Sequence, residues 1–141
     1  MSLDDLRARR DALDDIIAHW LQPAVRVTLP LRLDSLTNRR GSWHDKARSA
    51  ETQRNAVALG LGFGKLRGLR GCKDRLVVLI TRVAPSRLDD DNNAAACKSV
   101  RDQVAAMLLV DDRDPRVAWV ADGERAGVRE YAVRVEIWRR P

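Results

Sequence analysis

Two cysteines, Cys72 and Cys97, are all the chain carries. They lack CxxC spacing and no Cys/His cluster surrounds them, which argues against zinc and a disulfide scaffold and predicts a reducing, cytoplasmic setting. No apolar run approaches the length that spans a bilayer, so no membrane partner is expected. The opening stretch MSLDDLRARRDALDD has no apolar centre and does not read as a signal peptide. Histidine is as scarce as cysteine. His19 falls on the first helix, away from the acidic residues, and His44 has neither a nucleophile nor a ligand partner beside it.

What is present is enough for one folded domain. The chain has 141 residues, 45% of them hydrophobic. Its net charge of +6 is unevenly spread. From Thr37 to Arg87 there are twelve Lys/Arg against Asp45, Glu51 and Asp74; from Leu88 to Asp114 there are seven Asp against Lys98, Arg101 and Arg113. A basic half suits a polyanion, because each neutralised phosphate releases counterions. Carboxylates facing phosphate gain nothing unless a metal lies between them.

The patterning predicts the order α-β-α-β-α-β-β, a small α+β fold with a mixed sheet and helices packed on it. Ser2 caps a helix running to about Leu21, with Leu3, Leu6, Leu13, Ile16, Ile17 and Trp20 at helical spacing. Val25, Val27 and Leu29 alternate as a strand, and Pro30 marks a strand end or sheet edge. Ser42 caps a second helix from Trp43 to about Leu59, and GLGFGKLRGLRGCKD follows as a flexible basic loop. RLVVLITRVAP is apolar enough to be central, and a helix from about Asp91 to Leu109 comes after it. The last two strands read as a hairpin turning around Asp122–Gly127, with Val133, Val135 and Ile137 alternating and Trp119 and Trp138 in the core.

Asp89, Asp90 and Asp91 stand where the central strand ends and a helix begins. One aspartate there is explained as an N-cap at the positive end of a helix dipole, but three are not. Asp111 and Asp112 lie beyond the same helix, at the wrong end of its dipole. A straight helix of about 18 residues would hold the clusters nearly ~27 Å apart. They would meet across a dimer or if VDDRDP folded back. Carboxylates on a DNA-facing surface suit Mg²⁺, a hard ion that keeps waters and leaves room for substrate phosphates. Lys98 lies seven residues after Asp91 on one helical stripe, with Ala94 and Ala95 between, and leans back toward it. Its plainer role is a surface pairing with Asp102. Among the cations, Asn38, Arg39, Arg40, Trp43, Lys46, Arg48 and Arg54 could grip phosphates, with Trp43 either stacking on unpaired bases or buried at its helix start. Lys65, Arg67, Arg70, Arg87 and Asn92 extend that set.

Together these residues resemble the RusA family of Holliday junction resolvases, small endonucleases often carried by phages and prophages. The family's Asp-x-Asp-Asn at a helix start appears here as Asp89-Asp90-Asp91-Asn92, its lysine as Lys98 and its Asp-Asp pair as Asp111-Asp112. LPLRLDSLTNRRGSWHDKARSAETQR is similar to the segment leading from the family's first strand into a basic helix. Two departures are visible: Asn93 stands where the family carries an apolar residue, and the lysine lies later along the helix. The resemblance implies an endonuclease domain over residues 23–141, preceded by an added amphipathic helix at 1–22. It implies Asp89, Asp91 and Asp112 as ligands of Mg²⁺ or Mn²⁺, Asp111 as their neighbour and Lys98 as the catalytic lysine. It further implies a homodimer that makes paired nicks in four-way DNA junctions, in recombination and repair. Two other classes fit the residues: a basic module that binds branched or single-stranded nucleic acid without cutting it, and an assembly protein joined through its first helix.

Overall fold

The computed structural model describes residues 2–35 and 43–140, without the side chains of 15–21 and 43. Asn38, Arg39 and Arg40 therefore lie outside the described residues, as do the side chains of His19 and Trp43. The described residues form α1 (Leu3–Leu21), β1 (Val25–Leu29), α2 (Trp43–Leu66), β2 (Arg75–Ala84), α3 (Asp90–Ala96), α4 (Lys98–Leu108), β3 (Val117–Arg125) and β4 (Ala132–Arg140). This is a small α+β domain with one mixed sheet. No described helix is long and apolar enough to cross a membrane.

The sheet order is β1-β4-β2-β3. β4 runs antiparallel to both β1 and β2, whereas β3 is parallel to β2. Hence β1, β2 and β3 point the same way, and β1, with Pro30 just past it, is an edge as its proline predicts. The expected hairpin of the last two strands does not form. β2 lies between them, with Ile80 opposite Ala121 on one side and Val135 on the other. Alternation assigns faces but not neighbours. The most apolar strand, whose Leu76, Val78 and Ile80 are buried, takes a partner on each side. β3 accordingly continues through Asp122 to Arg125, and the chain turns after it.

One face of the sheet carries Val25, Val27, Leu29, Val78, Ile80, Val133, Val135 and Ile137 into the core. Val57, Leu61 and Leu66 of α2 and Val100, Val104, Met107 and Leu108 of α4 close it from above. This explains the second correction. Leu61 and Leu66 are fully buried, so α2 runs to Leu66, through what reads as a loop, with a break at Gly62 (φ 61°). Gly60 is needed where α2 crosses β1, because a Cβ there would lie 2.0 Å from a Leu29 methyl. The third expected helix is also divided, into α3 and α4, at Cys97. At the other end of the chain, Ser2 Oγ accepts from the Asp5 amide at 3.2 Å and Asp5 receives the Ser2 amide in return. Leu3, Leu6 and Leu13 of α1 remain more than half exposed. Trp119 and Trp138 are half-buried rather than fully enclosed.

Candidate active site at the carboxyl end of the sheet

Because three strands share a direction, their carboxyl ends form one edge, the usual place for ligands in sheets with parallel strands. Two chain segments meet there around a buried cation. Arg82, 5% exposed, donates from Nε to the Leu33 carbonyl at 2.6 Å and from Nη1 to the Ser86 carbonyl at 2.7 Å. It thereby ties the stretch that leads into the 36–42 segment to the turn that leads into the aspartates. A charge in an otherwise apolar strand is the signal that could have marked it. Nearby, Arg87 donates to the Gly123 carbonyl at 3.2 Å and Arg125 to that of Pro85 at 3.3 Å, fastening the same turn to β3.

Asp89 is the N-cap of α3. Its carboxylate accepts the Asn92 backbone amide at 2.8 Å and the Asn92 side-chain amide at 2.9 Å. Asn92 therefore acts first as a clamp on Asp89. Asp90 and Asp91 follow in the first turn, exposed and without an ion pair or side-chain hydrogen bond among the described residues. Asp91 lies one turn before Ala95, on the same stripe.

Ala95 opens onto a cleft of about 380 Å³ between α2 and the α3–α4 pair, lined by Lys46, Gln53, Arg54, Lys98, Ser99 and Asp102. Lys46, Gln53 and Arg54 share one face of α2, and Ser99 donates to Gln53 across the cleft. Lys46, Arg54 and Lys98 make no ion pair among the described residues. The expected pairing of Lys98 with Asp102 is absent at 4 Å, although both line the cleft. Arg48 is exposed on another face of α2. Lys65, Arg67 and Arg70 cluster at the far end of that helix, where Arg70 stacks over Phe63 at 5.0 Å.

Asp111 and Asp112 are elsewhere. The parallel register sets Val117 beside Leu76, so the turn before β3 lies at the amino end of β2. β2 has ten residues, which at ~3.3 Å each separates the two acidic clusters by about 30 Å. VDDRDP does not fold back. Arg101 holds the Asp112 carbonyl at 3.2 Å, and Asp111 accepts the Arg113 amide at 2.9 Å. That backbone hydrogen bond, then one from Asp112, keeps the Asp111 carboxyl below its usual range.

Among the described residues no group of three or more His, Cys, Asp or Glu is placed to hold a metal ion. The four aspartates thus do not form one ligand set within a chain. Mg²⁺ in general needs only one or two carboxylates and keeps its waters. Asn93 is 6% exposed, and its Oδ1 has no hydrogen-bond partner among the described residues. No protein-family model matches the chain, and no curated protein does either.

Proposed function

We propose that the chain is a metal-dependent endodeoxyribonuclease of the RusA type that cuts branched DNA. The observation that carries this reading is that, at the carboxyl end of the sheet, Asp90 and Asp91 lead α3 while the cleft with Lys46, Arg54 and Lys98 begins one turn further on at Ala95, none of these five charges being ion-paired among the described residues. Asp89 and Asp91 would hold Mg²⁺ or Mn²⁺, which when bound neutralises the scissile phosphate and makes a water more acidic. Lys98, Lys46 and Arg54 bind the phosphates on either side and stabilise charge that develops on them. Asn92 keeps Asp89 oriented. Asp111 and Asp112 reach such a site only from a second chain, so the active form is a homodimer in which each site draws carboxylates from both protomers. The test is a labelled synthetic four-way junction incubated with protein in Mg²⁺, Mn²⁺ or EDTA. Paired nicks that require metal are the expected result.

A second reading has its own observation: Asp89 is occupied as a helix cap, and one chain gathers no three-carboxylate cluster. On that reading the domain holds branched nucleic acid without cutting it. Junction binding unchanged in Asp91→Asn, with no nicks in either metal, would select it.

A further inference from the structure

At the amino end of the sheet, away from the aspartates of α3, β2, β3 and β4 border an open pocket of about 420 Å³ whose lining includes Arg75, Arg116 and Arg140 beside Leu76, Val77 and Pro115. Arg75 and Arg140 are direct partners in the antiparallel β2–β4 register, so both side chains leave the same face of the sheet. Cross-strand partners stand about 5 Å apart at Cβ, and like charges so placed repel. Neighbouring cations are neutralised: Arg139 pairs with Asp74, and Arg116 with Asp114 at 2.8 Å. The side chains of Arg75 and Arg140 have no carboxylate and no hydrogen bond among the described residues. Arg116 forms a rigid third wall, because its other terminal nitrogen donates to the Cys72 carbonyl at 3.3 Å.

Two arginines that leave one face of the sheet and line one concavity, without a carboxylate partner among the described residues, suit a phosphate oxyanion. We propose that this cavity takes a phosphate group, carried by the backbone of nucleic acid, as a contact separate from the cleft around Lys98. The assignment rests on the nucleic-acid reading above, and it gives the chain a phosphate grip at each end of its sheet. A branched duplex could use both.

The test is anisotropy of a labelled four-way junction in EDTA across a salt series, for wild type and Arg75→Ser/Arg140→Ser. The variant should bind about tenfold more weakly near 0.1 M salt, and its log–log salt slope should be shallower by about 2. Arg75→Lys/Arg140→Lys, which retains charge, should keep the slope, and thermal melts identify any variant that fails to fold. A double serine variant with wild-type affinity and slope would overturn the site and leave the nuclease reading intact. Calorimetry with pyrophosphate separates the sources. Pyrophosphate binding lost in the serine variant, together with a wild type that ignores DNA, would keep the phosphate site and remove the nucleic acid.

Discussion

The two ends of the sheet use the same residue types to opposite effect. At the amino end, carboxylates and guanidiniums pair, as in Asp114 with Arg116 and Asp74 with Arg139, Asp111 is absorbed into a turn, and only Arg75 and Arg140 of the proposed phosphate pocket are left without a carboxylate among the described residues. At the carboxyl end Glu124 pairs with Arg134, but the charges around α3 and its cleft stay unpaired among the described residues. Asp90 and Asp91 lead α3, while Lys46, Arg54 and Lys98 face a cleft that Asp102 also lines, none of them within 4 Å of a carboxylate among the described residues. Paired charges hold structure and need no ligand. Unpaired charges leave both signs available, which is what a metal and a phosphate together require.

The comparison is broken most severely by exchanging the two kinds of aspartate. Asp91→Asn should lower junction cleavage by more than about 100-fold, the scale of losing an electrostatic contact to a reacting centre. Asp114→Asn should leave the rate within about twofold and lower the melting temperature by a few degrees, since it removes a half-buried partner of Arg116 far from α3. Equal losses in both would end the distinction.

Arg82 comes next. Arg82→Met strands the Leu33 and Ser86 carbonyls at the carboxyl end and should destabilise the fold by about 2–4 kcal/mol. Urea titration measures it. A loss below half a kcal/mol would mean the two segments are held by other contacts.

Asn93→Leu works in the other direction. It removes a buried acceptor that has no partner among the described residues, so stability should rise by about 1 kcal/mol. Thermal unfolding decides, and a destabilised variant would place a hydrogen-bond partner at Oδ1.

The smallest effect concerns Cys97. Burial, against the weaker pull of Arg82, pushes its thiol up to about 11. At pH 8 iodoacetamide should label Cys72 and spare Cys97. The folded thiol titrates above its ordinary value, so this group's share of stability is intact below the ordinary thiol range and is lost as pH rises toward 11.

The sequence made several elements legible. Heptad-like apolar spacing and the Ser2 cap locate α1, strict alternation locates β1 and β4, and an apolar run between turn signals locates β2. The acidic run is explained only in part by its cap, and the structure agrees: Asp89 caps while Asp90 and Asp91 do not. What escaped were relations between segments. Nothing in the alternation of Val133, Val135 and Ile137 says that β2, rather than β3, lies beside them. Glycine spacing hid Leu61 and Leu66, whose burial extends α2. The helix after Asp91 breaks at Cys97, yet it still carries the chain from one end of the sheet to the other. This is why Asp112 and Asp91 separate within a chain.

That separation supplies the most direct test. Asp91→Asn and Asp112→Asn proteins, each inactive alone, would be mixed, exchanged and assayed on a four-way junction with Mg²⁺. In a two-fold dimer with sites shared between protomers, a mixed dimer keeps one intact site, so nicking should return to about a quarter of the wild-type rate. If the mixture stays as inactive as either parent while exchange is verified, the carboxylates do not act together across a dimer, and the account of the site is wrong.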